Sequence, residues 1–177
     1  MRGTIHFCLE DCIIAKYGKD KWQACLIASG LPENHSFADQ LSAEIDEELT
    51  MSFIAKSAEV LGISVQQLFD DFGYHWCVEY APKMYAVFYV GCKTTKDLVM
   101  KLSKVHEMIA KIRPGYSPPQ FEYEEITSDK IKVSYISKRN LFDLYISLVK
   151  GLDAYFKNET KIEKLSDKSA ILTFSHY

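Results

Sequence analysis

The chain has 177 residues, 47% of them hydrophobic and 25% charged, enough for one sizeable core, so a single domain over 1–177 is expected. A net charge of −3 and a pI near 6.0 exclude the basic face that a nucleic-acid partner needs, and the scattered Lys and Arg form no membrane-binding stripe. No segment reaches the roughly 18 apolar residues that span a bilayer. The first residues lack a signal peptide's apolar run, because Glu10 and Asp11 interrupt it. Cys8, Cys12, Cys25, Cys77 and Cys92 show no disulfide-framework spacing, which fits a reducing, cytoplasmic compartment.

The first half reads as helices. Residues 4–17 are apolar up to Gly18, residues 20–29 end at Gly30, and a third stretch from about 46 to 61 stops at Gly62. Ser64 to Gln67 reads as a capping box that opens a short helix finishing near Gly73. Residues 83–91 are helical by context. Leu98, Leu102, Val105, Ile109 and Ile112 then recur at helical spacing and predict a long amphipathic helix, which must end before Pro114-Gly115. The segment from Pro114 to Pro119 reads as a rigid connector.

Beyond it the period changes from helical to alternating. Phe121–Thr127 and Lys130–Lys138 predict a hairpin turning at Ser128-Asp129. Leu141, Leu144, Tyr145, Leu148, Leu152 and Tyr155 mark another helix, and Lys161–Leu165 with Ala170–Ser175 a second hairpin. The order predicts an α+β domain, with helices segregated from a four-stranded antiparallel sheet.

Two features carry chemistry. His106 lies at the edge of the apolar stripe of the long helix, where a histidine taken alone reads as a hydrogen-bonded core residue. Tyr135, Ser137 and Arg139 alternate at the end of a predicted strand, so they share a face about 6.7 Å apart. Taken alone they are a polar strand end. Together they form two hydroxyls and a guanidinium suited to a ligand with two neighbouring carboxylates. A neutral imidazole in apolar surroundings plus a dicarboxylate clamp is what haem requires of its proximal ligand and its propionate anchors.

On these residues the chain resembles the haem-nitric oxide/oxygen binding (H-NOX, HNOB) domains, stand-alone bacterial relatives of the haem domain of soluble guanylate cyclase. The similarity runs from Met1-Arg2-Gly3-Thr4-Ile5 to the last hairpin, and its most specific part is Tyr-x-Ser-x-Arg at Tyr135, Ser137 and Arg139. The resemblance implies haem b buried between a distal helical part (about 1–80) and a proximal part (about 81–177). It makes His106 the axial ligand of the iron, the Tyr135–Ser137–Arg139 motif the propionate anchor, and Pro119 the residue that presses the porphyrin out of plane. It also implies that NO loosens the iron–His bond and shifts one part against the other, with Met1 and Ile5 reporting the haem's position to the first helix. Asp46 or Glu47 is then a partner for Arg139. A separate histidine kinase or diguanylate cyclase is the expected signalling partner, since the chain ends with the domain.

Oxygen-binding members of the family use a distal Tyr supported by a Trp and an Asn. By resemblance those positions hold Leu144, Leu9 and Trp76 here, while Tyr145, about 100° further round the helix, points elsewhere. Without a donor a bound dioxygen loses polar stabilisation, whereas NO and CO still bind. The expectation is therefore a sensor selective for NO, with Ile5, Leu9, Trp76, Cys77, Tyr80, Leu144 and Leu148 lining the distal pocket or touching haem. The other readings are an oxygen or redox haem sensor and an interaction module without haem. Cys8 and Cys12, one helical turn apart, are too weak a pattern for zinc, and the absence of a cysteine after Cys92 argues against the C-terminal zinc site of some relatives. Glu122, Glu124 and Glu125 read as a solvated strand face. No nucleophile, base and orienting group come together, so an enzyme is not expected.

Overall fold

The computed structural model describes residues 1–112 and 117–175. Residues 114–116 of the predicted connector lie outside the described residues, and Ser117 to Pro119 lead into the first strand as irregular chain. Helices α1 (Gly3–Tyr17), α2 (Lys19–Ala28) and α3 (Glu47–Leu61) form the N-terminal layer. The Asp46 carboxylate caps α3 by accepting from the Leu49 N–H at 3.0 Å, and Gly62 ends it at φ 69°, a left-handed conformation that glycine adopts without Cβ strain. Helix α4 (Val65–Tyr74) opens at Ser64, whose hydroxyl accepts from the Gln67 N–H at 3.1 Å. The return half of the predicted box is not made, because the Gln67 amide donates instead to Asp71 at 2.8 Å.

Gly73 does not stop this helix. The chain continues through a π-helical segment (His75–Tyr80) into α5 (Ala81–Met84) and α6 (Ala86–Tyr89), so the single stretch expected over 83–91 is two short helices meeting at Tyr85. Gly73 serves packing. Helix α8 (Phe142–Phe156) crosses α4 with backbone against backbone: a Cβ on Gly73 would lie 2.3 Å from the Ser147 carbonyl oxygen, and one on Gly151 2.1 Å from that of Gly73. Polar groups staple the same crossing. The Ser147 hydroxyl donates to Asp70 at 2.6 Å, Lys150 reaches the same carboxylate at 3.0 Å, and the Gln66 amide donates to Ser147 at 3.0 Å.

Helix α7 (Thr95–Ile112) follows the predicted stripe, but burial fades along it: Leu98 and Val99 are buried whereas Ile112 is 71% exposed. Strands β1 (Gln120–Thr127), β2 (Lys130–Ile136), β3 (Thr160–Ser166) and β4 (Ser169–Phe174) form one antiparallel sheet in the order β1-β2-β4-β3. Its inner face carries Phe121, Ile131, Val133, Tyr135, Leu172 and Phe174, and α8 packs against it through Phe142 and Tyr145. The α+β architecture with a four-stranded antiparallel sheet is as expected, although β2 ends at Ile136, two residues before its predicted end. No helix of the described residues is long and apolar enough to cross a membrane.

Because the atoms facing Gly73 are backbone, the neighbours cannot rotate away. Gly73→Ala is expected to cost about 1–3 kcal/mol, the usual penalty of overpacking, read as a lower urea midpoint with an unchanged slope.

Candidate functional site

His106 sits three turns into α7, and its ring lies 5.6 Å from that of Phe121. The Nδ1 atom is 2.8 Å from the Pro119 carbonyl oxygen. A carbonyl only accepts, so Nδ1 carries the hydrogen and Nε2 keeps its lone pair when the ring is neutral. Burial holds the imidazole's pKa below its ordinary value, with the Pro119 hydrogen bond opposing more weakly. The ring therefore offers a neutral nitrogen whose tautomer is set by a carbonyl, the arrangement of a metal-ligating histidine. Pro119 was singled out from the sequence for its ring; its carbonyl is what the structure shows in use.

The Tyr135, Ser137 and Arg139 group is only partly a strand face. Tyr135 lies within β2, buried, its ring 5.6 Å from Phe121 and 5.9 Å from Phe142. Ser137 and Arg139 lie beyond the end of the strand, so alternation does not align them; the Ser137 hydroxyl instead accepts from the Arg139 N–H at 3.1 Å and folds the chain into a bend. This bend brings the guanidinium to the start of α3, where its Nε lies 2.7 Å from the Glu47 carboxylate. Of the two acids considered, Glu47 makes the pair and Asp46 is committed to its cap. Glu47 is half exposed, so the pair contributes at most about 1 kcal/mol.

A cavity opens between the N-terminal helices and α8. Met1, just before α1, and Ile5 and Leu9 on that helix line one side, with Ile54 from α3, Leu68, Phe69 and Phe72 from α4, and Leu144 from α8. All its lining residues are apolar. The neighbouring Tyr145 turns the other way, packing its ring 4.6 Å from Phe121, the residue that also touches His106. Adjacent residues of α8 thus serve the cavity and the histidine side.

Of the pocket residues expected from the sequence, Ile5, Leu9 and Leu144 line this cavity, whereas Trp76, Cys77, Tyr80 and Leu148 are not among its lining residues. Trp76 stands one ring behind the wall, stacked 5.7 Å from Phe72 and tilted against Tyr80 at 5.2 Å. The Cys77 thiol donates to the Leu148 carbonyl at 3.3 Å inside the α8 contact, and burial pushes its pKa up. Cys8 and Cys12 are buried thiols, the latter pushed up to about 12 by desolvation. The residues that sequence reasoning missed are Ile54, Leu68, Phe69, Phe72 and Phe121; Leu68, Phe69 and Phe72 show a signal in their apolar i, i+3 and i, i+4 spacing, while Phe121 and Ile54 show none.

His6 fastens two walls of the cavity. It is 2% exposed, its Nδ1 lies 3.2 Å from the Arg2 carbonyl oxygen and its Nε2 3.0 Å from the Thr50 hydroxyl of α3.

A neutral ring nitrogen, a wall of apolar side chains and an arginine at the end of β2 fit a haem in chemistry: a lone pair for iron, a dry surface for the porphyrin and a cation for carboxylates. Site and fold together define a haem-sensor domain class. The Haem-NO-binding family model matches residues 2–164, and the chain belongs to this family, the H-NOX domains, haem-based gas sensors rather than catalysts. Among solved structures, a Cs H-NOX mutant carrying 4-cyano-L-phenylalanine is similar at a TM-score of 0.89 and 21% identity, over 99% of this chain and 97% of that one. A T. tengcongensis H-NOX mutant is similar at 0.85 and 21%, over 99% and 98%. An oxygen-binding H-NOX domain related to soluble guanylate cyclases, in its oxygen complex, is similar at 0.84 and 22%, over 99% and 96%. At such identities these likenesses speak to the fold. No curated protein sequence matches the chain.

Desolvation lowers the pKa of His6 to about 4. Below its unfolded value near 6.5 the unfolded chain binds a proton that the folded chain refuses, so stability is complete above that pH and falls as the pH drops towards 4. Between pH 7 and pH 5 the loss from this residue is about 2 kcal/mol. In denaturation at the two pH values, His6→Gln should remove that share of the difference.

Proposed function

We propose that this domain is a sensor selective for nitric oxide, with CO as a second ligand, that binds haem b through His106. Tyr135, Ser137 and Arg139 hold the propionates, and Pro119 presses on the porphyrin. The haem, when bound, supplies a ferrous iron with a coordination position open to a diatomic gas. The observation that carries the selectivity is the cavity wall: Leu144 and the other lining side chains hold no hydrogen-bond donor. Dioxygen draws negative charge from iron and needs a donor to stabilise it; NO and CO depend on one far less. Residues about 1–80 act as the distal part and about 81–177 as the proximal part.

With haem bound, His106 would hold the iron through Nε2 while its Nδ1–H stays on the Pro119 carbonyl, and NO would weaken that hold. Met1 and Ile5 carry the resulting shift into α1, and the Glu47–Arg139 pair links α3 to the bend after β2. A separate cytoplasmic histidine kinase or diguanylate cyclase reads the change; the family resemblance supports this partner class.

One observation favours an oxygen sensor instead. The Tyr80 hydroxyl is buried with no hydrogen-bond partner among the described residues, and burial pushes its pKa up to about 12, so it stays a donor. The spectrum of the ferrous protein in air separates the two readings: absence of a stable oxygen complex is expected, and one that disappears in Tyr80→Phe would establish the oxygen reading.

The ferrous protein under NO should show a five-coordinate spectrum, and a persistent six-coordinate one would contradict release of His106. His106→Gly should lose haem on purification and recover it with added imidazole. Leu144→Tyr, which puts a phenol in the cavity, should give a ferrous oxygen complex in air that the unsubstituted protein lacks, read from its optical spectrum.

A further inference from the structure

Strand β1 is an edge of the sheet, so one row of its carbonyls faces away from β2. The Tyr135 N–H donates to the Lys168 carbonyl at 2.7 Å, on the side away from β1. Its partner across the β1–β2 ladder is Phe121. Phe121 and Tyr135 therefore do not exchange backbone hydrogen bonds, and the Phe121 carbonyl belongs to the open edge. Helix α7 takes that carbonyl: the Ser103 hydroxyl donates to it at 2.8 Å. Two residues earlier, just before β1, the Pro119 carbonyl accepts from His106 at 2.8 Å. Ser103 and His106 are three residues apart and so share a helix face. The helix is laced to the strand edge at two successive carbonyls.

We propose that Ser103 is a positioning residue for His106: by holding the Phe121 carbonyl it fixes the start of β1, and with it the carbonyl that orients and polarises the imidazole. Pro119 is a single point about which the histidine ring and the strand end can pivot. A second anchor on the next carbonyl of that row removes the pivot and also holds the Phe121 ring against His106. A carbonyl accepting from Nδ1–H raises the basicity of Nε2, so the lacing sets how firmly His106 holds iron. The inference rests on the reading of His106 as the iron ligand.

The test uses Ser103→Ala, Ser103→Thr and Ser103→Cys in the full-length chain. In the haem-free protein, nitrogen-resolved NMR reads exchange of the His106 Nδ1–H with solvent. Alanine should speed that exchange by about tenfold, the equivalent of one ordinary hydrogen bond; threonine should restore it and cysteine fall between. In the ferrous haem-loaded protein the iron–His stretch should move to lower frequency in the alanine variant and return in the threonine variant. Unchanged exchange and stretch in Ser103→Ala overturn the proposal; should that variant not fold, unchanged values in Ser103→Cys do the same. The ligand reading fails separately, through haem retention in His106→Gly, and the exchange measurement judges Ser103 whichever way that falls.

Discussion

Helix α8 meets α4 where neither chain carries a side chain, at Gly73 and Gly151, and this contact lets one helix serve two environments. With Cβ atoms at the crossing the helices would stand further apart, and the packing of α8 between α4 and the sheet would loosen. Because they touch, Leu144 reaches the cavity from one side of α8 while Tyr145, one residue on, packs against Phe121 on the other. The polar staple of Ser147, Asp70, Gln66 and Lys150 holds the rotation of α8 about its own axis. A rotation of one residue would exchange a methyl-lined wall for a phenol.

The histidine side depends on a different balance. Burial disfavours a charged imidazole and the Pro119 carbonyl favours it; burial is the larger effect, so the ring stays neutral with its free lone pair on Nε2. The same carbonyl decides which nitrogen that is. A protonated ring would have no lone pair to offer, and a neutral ring with its hydrogen on Nε2 would have no donor for the Pro119 carbonyl. The charge at the site lies instead at Arg139, at a bend outside the sheet and partly neutralised by Glu47.

Much of the fold was legible in the sequence because its signals are local. The cap at Ser64, the change of period after Pro119 and the two hairpin turns each depend on residues a few positions apart. Gly73 was read by the same local logic as a helix end, and there the logic fails: a glycine before a continuing helix reflects a partner 74 positions further on, the Ser147 carbonyl of α8. The triplet at Tyr135, Ser137 and Arg139 was legible as a group through its motif. Its geometry was not, since a bend closed by Ser137 replaces the last two residues of the expected strand.

The sequence by itself determined the family, because an imidazole on an apolar helix stripe and a Tyr-x-Ser-x-Arg motif are local patterns, readable without the fold. By resemblance it also offered Leu144 as the position at which oxygen-binding members are expected to carry a phenol. Only the tertiary structure decided which nitrogen of His106 is free, which acid meets Arg139, and that Trp76, Cys77, Tyr80 and Leu148 stand behind or beside the cavity lining rather than in it. Each of these is a contact between elements distant in the chain. Periodicity says which face of a helix is buried; what that face meets depends on how closely two backbones approach.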